Sequence, residues 1–201
     1  HEHAMTIWKY ILEHDNGVTN FHFEISADLL REEEMELMSQ MRPGLIQLEI
    51  GVQSTNPETI RAIHRHMDLK KLEHCVNRVH SFRNIHQHLD LIAGLPGEHP
   101  EEMEDTLRQI KELAPDSLTV HALAMKHGSR LTRERAASTE KQNYKQMARE
   151  LEEMIDMARK AAGEMGLYPY YLYRQKNMLE NLENIGWTKR GHESLYNIYI
   201  M

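Results

Sequence analysis

The chain has 201 residues, a formal net charge of −7 and a pI near 6.1. This acidic balance lacks the basic surface on which sequence-independent nucleic-acid binding depends, and no apolar run approaches the roughly 18 residues that span a bilayer. The single cysteine, Cys75, excludes an internal disulfide and, by itself, a multi-thiolate metal site. We therefore expect a cytoplasmic protein whose partners include neither nucleic acid nor a membrane.

Short β-type runs alternate with longer helical runs along the first 125 residues. Strands separated by helices of this length imply parallel βαβ units with right-handed crossovers. The sequence therefore predicts an α/β fold, either part of an α/β barrel or a doubly wound sheet. The predicted strands are 18–26, 44–54, 85–94 and 116–125, and the predicted helices are 4–13, 28–41, 56–65, 68–83 and 99–113.

Three of these helices carry N-terminal signals. Asn56 precedes Pro57 and a glutamate, which is the order expected of an N-cap, a first helical position and an acidic first turn. Asp28 and Asp68 each stand directly before a helical run. We expect all three cap side chains to accept hydrogen bonds from backbone amides of the first turn.

The last third of the chain has a different character. A basic, polar segment leads into a long amphipathic helix that is predicted to end near Gly166, and a tyrosine-rich tail follows. We therefore divide the chain into a barrel part, residues 1–125, and a helical and aromatic extension, residues 126–201. Tyrosines lie beside Arg174 and Lys176, an arrangement that fits either a packed lid or one wall of a ligand site.

Polar side chains lie late in each of the four predicted strands: Glu24, Gln53, Asp90 and His121. The carboxyl ends of parallel strands form the ligand-binding edge of α/β sheets, because the strand-to-helix loops converge there. Two carboxylates, an amide and an imidazole at this edge would suit a polyhydroxylated ligand such as a ribose. The alternative is that each side chain only satisfies a lysine or a backbone amide, and the turn Gly94–Gly97 could likewise be chosen for its backbone geometry alone.

The histidines give no metal-binding pattern. His86 and His88 share one face of a predicted strand, and His64 and His66 lie at a helix end, but no nearby set provides three convergent ligands with zinc-like spacing. We therefore predict no metal site. Cys75 falls in the middle of a helical run, where a core or boundary position is expected.

Four segments of the chain carry a recognisable pattern: IGVQSTNPETIRAIHR, LDLIAGLPGE, PDSLTVHALAMKHGSRL and the tail YYLYRQKNMLENLENIGW. They resemble the radical S-adenosylmethionine (SAM) enzymes, and most closely the oxygen-independent coproporphyrinogen III oxidase/dehydrogenase group. The N-terminal third is more similar to radical SAM proteins that carry a cobalamin-binding domain. The resemblance implies a partial (β/α)6 TIM-like barrel, strands three to six, with a C-terminal helical extension.

The resemblance also implies a set of SAM contacts. Asp90 would accept hydrogen bonds from SAM, and Glu24 would contact its ribose or amino group. Arg65 would face the SAM carboxylate, Gln53 would add an amide, and Ala124 would add a backbone contact. The resemblance assigns no catalytic residue.

The sequence departs from the family in one respect. Radical SAM enzymes hold a [4Fe–4S] cluster on three cysteines in a Cys-x3-Cys-x2-Cys loop, and this chain contains neither that loop nor the glycine-rich segment that holds the amino-acid end of SAM. We expect both to lie upstream of His1. The chain is then a fragment that is inactive alone, and the cluster belongs to the full-length protein.

The function implied by the resemblance is that of a coproporphyrinogen III dehydrogenase in porphyrin biosynthesis. A 5′-deoxyadenosyl radical from SAM would abstract a hydrogen from a propionate side chain, which then loses carbon dioxide to become a vinyl group. The substrate would be a small porphyrinogen, the electron donor is unspecified, and Arg174 and Lys176 would face either the propionates or solvent. Two alternatives stay open: a cobalamin-linked radical SAM protein with another substrate, and a non-catalytic SAM- or nucleoside-binding remnant.

Overall fold

A computed structural model describes residues 2–124, 144–174 and 183–200, and its centre is a six-stranded mixed sheet. The strands are β1 (Phe21–Ile25), β2 (Ile46–Gln53), β3 (His86–Ala93), β4 (Ser117–Ala122), β5 (Tyr168–Tyr173) and β6 (Asn184–Thr188). The helices are α1 (Glu2–Glu13), α2 (Glu32–Ser39), α3 (Pro57–Ala62), α4 (Leu69–Phe82), α5 (Pro100–Leu113), α6 (Tyr144–Glu164) and α7 (Leu195–Ile200).

The first four strands are parallel and lie side by side in chain order, with helices in each connection. This confirms the predicted α/β class with its βαβ units. Strand β1 is shorter than predicted, because residues 18–20 precede the pairing of Phe21 with Ile46. Among the described helices, none combines the length and the apolar composition that a membrane span requires.

The alternation of side chains along β2 separates two faces of the sheet. Ile46, Leu48, Ile50 and Val52 are at most 1% exposed, whereas the residues between them are only half-buried. Successive residues of a strand point to opposite faces, so the apolar set packs under the helices and the polar set lies on the other face. This second face is called the polar face below.

The helices bury amphipathic stripes against the apolar face. Leu72, Cys75, Val76 and Val79 line one side of α4 at helical spacing and are all nearly inaccessible to solvent. The thiol of Cys75 is therefore part of the core, as the sequence predicted. Its burial also raises the pKa of the Cys75 thiol, which disfavours the reactive thiolate.

Two of the three predicted N-caps are confirmed. The Asn56 side chain accepts from the amides of Glu58 and Thr59 at 2.8 and 3.1 Å, and Asp68 accepts from the Lys71 amide at 3.1 Å. The prediction for Asp28 was wrong, because Asp28 lies within a short 3₁₀ turn, Ala27–Leu29, and α2 begins only at Glu32.

Asp28 instead joins two segments of the chain. Its carboxylate accepts from the Ser26 hydroxyl at 2.7 Å and from the Asp68 amide at 3.3 Å, so it ties the end of β1 to the start of α4. Helix α2 begins at Glu32, and the Glu34 carboxylate accepts from the Arg31 amide at 2.9 Å.

The C-terminal part contains the predicted long helix, α6, and in addition two strands that the sequence did not predict. Strand β6 pairs antiparallel with β4, and β5 pairs antiparallel with β6. Trp187 of β6 is 3% exposed and joins the core. Lys176 lies outside the described residues, and the division between residues 125 and 126 stays a prediction.

Candidate functional site

The polar face carries ionisable and hydroxyl side chains in register across the sheet. Glu24 of β1 is the register partner of Glu49 of β2, and Glu49 is the partner of His88 of β3. One row closer to the carboxyl edge, Gly51 is paired with Asp90 and Asp90 with Thr119. The polar face therefore presents functional groups in ordered rows at positions that the strand register fixes.

Asp90 lies between two imidazoles. Its Oδ1 atom is 3.3 Å from Nε2 of His88 and 3.4 Å from Nε2 of His121, and the residue is 8% exposed. Burial acts to raise the pKa of the Asp90 carboxyl, but the hydrogen bonds and charges of His121 and His88 outweigh it and lower the pKa. Asp90 is therefore an ionised hydrogen-bond acceptor at neutral pH.

Tyrosines from the tail extend this network. The Tyr173 hydroxyl lies 2.8 Å from Nδ1 of His121, and the Tyr171 hydroxyl lies 2.7 Å from Oγ1 of Thr119. Burial raises the pKa of the Tyr171 hydroxyl, so this group remains protonated. Tyr171 and Tyr173 thus form one side wall of the polar face.

Gln53 and Arg65 converge above Gly51. Nη2 of Arg65 donates to the Gly51 carbonyl at 2.6 Å, and a Cβ atom on Gly51 would lie 2.6 Å from Nε2 of Gln53. Only a residue without a side chain allows both groups to approach the strand here. Because Gly51 is also the register partner of Asp90, Gln53, Arg65 and Asp90 all adjoin Gly51 at the carboxyl edge.

The turn after β3 is tied to the loop after β2 through Glu98. This residue is 5% exposed, and Oε1 of its carboxylate accepts from the Ser54 hydroxyl at 2.9 Å. Burial raises the pKa of the Glu98 carboxyl to about 7, against the partial offset of that hydrogen bond. The connection fixes the loop that follows Gln53 relative to the Gly94–Gly97 turn.

The five residues predicted to contact SAM do not all lie together. Gln53, Arg65 and Asp90 meet at the carboxyl edge, and Ala124 follows β4 where the Leu123 amide bonds to the Ala93 carbonyl. Glu24 lies one row deeper than Asp90, in a group with His22 and Glu49 whose ligand atoms all lie within 4.8 Å of one another.

Sequence reasoning missed three members of the polar face: His22, Glu49 and Thr119. A usable signal was present for them, because each is an even number of residues from Glu24, Gln53 or His121 within its strand. The tail tyrosines, Tyr171 and Tyr173 among them, were predicted to form either a packed lid or a ligand wall, but the strands that position them were not predicted.

The protein-family model described as "Radical SAM superfamily" matches residues 1–110 of the chain. The oxygen-independent coproporphyrinogen-III oxidase-like protein HemZ of Bacillus subtilis (strain 168) is 40% identical over 177 residues, which are 87% of this chain and 33% of HemZ. The oxygen-independent coproporphyrinogen III oxidase of Escherichia coli (strain K12) is 33% identical over 107 residues, which are 50% of this chain and 23% of that protein. The chain thus spans about a third or less of the length of these curated relatives.

Two solved structures share the fold. Coproporphyrinogen III oxidase (HemN) from Escherichia coli matches with a TM-score of 0.63 and 20% identity, over 82% of this chain and 37% of that one. The methyltransferase TsrM from Kitasatospora setae, solved with cobalamin and a [4Fe–4S] cluster, matches with a TM-score of 0.53 and 17% identity, over 62% and 26% of the two chains. At these identities the likeness concerns the fold.

Proposed function

Because the chain belongs to the radical SAM superfamily, we propose that the carboxyl edge of its polar face binds SAM and that the protein is an oxidoreductase acting on coproporphyrinogen III. The substrate comes from the named relatives, of which HemZ is described as oxidase-like and HemN as a coproporphyrinogen III oxidase. The chain spans only part of those proteins, so the reaction of the whole protein rests on this proposal.

One observation carries the SAM site: the convergence of Gln53, Arg65 and Asp90 around Gly51. SAM presents two ribose hydroxyls, an amino-acid carboxylate and an adenine, which call for an acceptor, a cation and an amide. The ionised Asp90 accepts from hydroxyls, and Arg65 opposes the carboxylate. The donor set and the close approach over Gly51 therefore suit this cofactor.

Within the proposed reaction, the residues of this chain bind and orient SAM. When bound, and on reduction by one electron from a donor outside these residues, SAM would supply a 5′-deoxyadenosyl radical as the hydrogen-abstracting group, with methionine as the leaving group. His88 and His121 hold the Asp90 carboxylate in place, and Tyr173 fixes the His121 ring through Nδ1. A ligand held by a carboxylate fixed in this way presents its reacting atom in a defined position, and such positioning contributes strongly to rate.

A [4Fe–4S] cluster does not fit the residues of this chain. The cluster requires several cysteine thiolates, and the sequence has only Cys75. That thiol is buried in α4 with Sγ 4.0 Å from the Leu30 carbonyl oxygen, on the helix-covered side of the sheet. No step of the reaction is therefore assigned to a cluster on these residues.

Coproporphyrinogen III presents propionate groups, which favour a cationic partner. Arg174 follows β5 at the edge of the sheet, and its Nη2 atom lies 3.4 Å from Oε1 of Glu183. We assign Arg174 as a propionate contact within this proposal; the exchange of Glu183 for a propionate would keep the guanidinium paired.

The SAM site is tested by isothermal titration calorimetry of the 201-residue chain with SAM. Replacing Gln53 with Ala or Arg65 with Gln should weaken binding at least tenfold each, because each removes a direct contact. Arg61→Gln, at an exposed position of α3, serves as the matched control and should leave the affinity unchanged. Equal affinities in all four proteins would contradict the assignment.

The substrate is tested separately, by anaerobic incubation of this chain, joined to a segment that binds the [4Fe–4S] cluster, with SAM, a reductant, an electron acceptor and coproporphyrinogen III. Each propionate converted to a vinyl group should lose one carbon dioxide and two hydrogens, which mass spectrometry detects. SAM binding without this conversion would leave the SAM site in place and overturn the substrate.

A further inference from the structure

A second group on the polar face, consisting of His22, Glu24 and Glu49, has the character of a metal centre. We propose that these three residues bind a divalent first-row transition-metal ion. One ligand atom from each lies within 4.8 Å of the others. Glu24 and Glu49 are register partners on adjacent parallel strands, and His22 lies two residues before Glu24 on the same face.

The His22 ring is the first argument for a bound ion. Its side chain is nine-tenths buried, yet neither Nδ1 nor Nε2 has a hydrogen-bond partner among the described residues. Burying an imidazole without partners is costly, so a native structure usually supplies one. The Tyr196 ring stacks on the His22 ring at 4.1 Å and 15°, which covers one ring face and leaves the edge that carries the lone pair.

The distance between His22 and Glu49 is the second argument. Nε2 of His22 and Oε2 of Glu49 lie 3.2 Å apart, yet both atoms lack a partner with hydrogen-bond geometry. Ligand atoms of one ion point at the ion and not at each other. At metal–ligand distances of about 2.1 Å, tetrahedral or octahedral ligands lie about 3.0–3.4 Å apart, which matches the observed distance.

The donor set selects the class of ion. One imidazole nitrogen with two carboxylate oxygens suits Mn²⁺, Fe²⁺ or Zn²⁺, whereas soft ions such as Cu⁺ prefer sulfur ligands. The two carboxylates also balance the charge of a divalent cation. Glu24 is exposed, so the ion would retain positions open to water or to a ligand carboxylate.

The metal site goes beyond the proposed SAM site of Gln53, Arg65 and Asp90, and one of its ligands, Glu24, is a residue that the resemblance also implied as a SAM contact. The remaining ligands, His22 and Glu49, lie deeper in the sheet than Gln53 and Asp90. Sequence spacing predicted no metal site, because only the register of β1 against β2 brings the third ligand to the pair on β1.

The test is a titration of the chelator-treated 201-residue chain with Mn²⁺, monitored by the loss of the free-ion signal in electron paramagnetic resonance. Mn²⁺ is chosen because it has little affinity for thiolates. We expect one site per chain in the wild type. His22→Ala and the isosteric Glu49→Gln should each raise the Kd at least tenfold, while thermal melting by circular dichroism verifies that both variants fold.

The matched control is His74→Ala, which removes a histidine that pairs with Glu32 at 2.8 Å on the surface. This variant should bind Mn²⁺ like the wild type. Gln53→Ala should weaken SAM binding but not Mn²⁺ binding, so a failure of the SAM site and a failure of the metal site remain distinguishable. Absence of wild-type binding at about 1 mM Mn²⁺, well above the range typical of transition-metal sites, or equal affinity in the His22 and Glu49 variants, would overturn the proposal.

Discussion

The two halves of the polar face differ in how far their polar atoms are satisfied within the protein. On the β3–β4–β6 half, His86 lies 2.6 Å from the Ser117 hydroxyl, Ser117 lies 2.6 Å from the Thr188 hydroxyl, and His88 lies 2.7 Å from the Thr119 hydroxyl. On the β1–β2 half, both ring nitrogens of His22, Nε2 of Gln47 and Oε2 of Glu49 have no hydrogen-bond partner among the described residues.

This difference separates a structural network from a ligand-binding surface. A buried polar network with partners rigidifies the protein, whereas buried polar atoms without partners cost free energy until a ligand satisfies them. Burial lowers the pKa of His86 to about 3, so the β3–β4–β6 half holds this imidazole in its neutral form. Two buried atoms of this half, Nδ1 of His88 and Nδ2 of Asn184, also lack a hydrogen-bond partner among the described residues, but neither His88 nor Asn184 lacks a partner altogether.

The largest expected effect is a loss of stability on replacing a histidine, and it should differ between the two halves. His88→Ala should lower the free energy of unfolding by about 3 kcal/mol, because it creates a cavity and leaves Thr119 with one partner fewer. His22→Ala removes no hydrogen bond among the described residues; it loses the stacking on Tyr196 and the 3.2 Å contact with Glu49 and should cost about 1 kcal/mol. Urea unfolding of the metal-free chain measures both values, and equal losses would contradict the division into two halves.

Glu98 gives an intermediate case, since one of its carboxylate oxygens has a partner and the other has none. Its folded-state pKa of about 7 lies above the ordinary value of 4.5, so the folded state binds the proton more tightly than the unfolded state. Between pH 5 and 7 the free energy of unfolding should therefore fall with rising pH, by about 2 kcal/mol.

Urea unfolding at a series of pH values tests this dependence, and Glu98→Gln should remove it. Glu101→Gln removes a carboxylate at an exposed position of α5 and should keep the pH dependence of the wild type. A wild-type curve that is flat, or that rises over this range, would show that the Glu98 carboxyl is not desolvated.

Two glycine substitutions, one of them a control, test whether the carboxyl edge of the sheet binds SAM. Gly51→Ala places a methyl group against the Gln53 amide and should weaken SAM binding about tenfold, or roughly 1.4 kcal/mol. Gly163→Ala, where a Cβ meets no atom within 4 Å, should leave SAM binding unchanged and stabilise α6 by up to about 1 kcal/mol. Unchanged binding in the Gly51 variant would separate that residue from the ligand site.

The smallest expected effect concerns the tail wall. Tyr171→Phe removes the hydrogen bond to Thr119 and should lower the free energy of unfolding by about 1 kcal/mol. Tyr10→Phe, at an exposed position of α1, should change it by less than about 0.5 kcal/mol. Thermal unfolding measures both, and a neutral Tyr171 variant would indicate that the wall is held by packing alone.

Local chemistry predicted the parallel core well. The Asn56 and Asp68 caps and the alternation along β2 depend on neighbouring residues, so the sequence determines them directly. Asp28 has the composition of a cap, but its partners come from Ser26 and Asp68, and no local rule reveals the second contact.

The candidate site was only partly predictable for the same reason. Gln53 and Asp90 were predicted from their positions late in the strands and Arg65 from the resemblance, and the structure places all three next to Gly51. The association of His22 with Glu49 depends on strand register, a long-range property that spacing along the chain does not contain. Likewise, β5 begins with the run Tyr-Pro-Tyr-Tyr, in which polar and apolar residues do not clearly alternate, and its pairing with β6 was not predicted.

Gly186 lies inside β6, where the chain makes no turn, yet a Cβ atom there would overlap the ring of Tyr171. That ring passes over the strand to reach Thr119 on the next one. In a saturation-mutagenesis library, position 186 should therefore tolerate no side chain, even alanine, and should be as depleted as a ligand-contacting residue. Depletion alone would then suggest that position 186 belongs to the ligand site. Its actual cause would be that the absence of a Cβ atom at Gly186 leaves room for the Tyr171 ring.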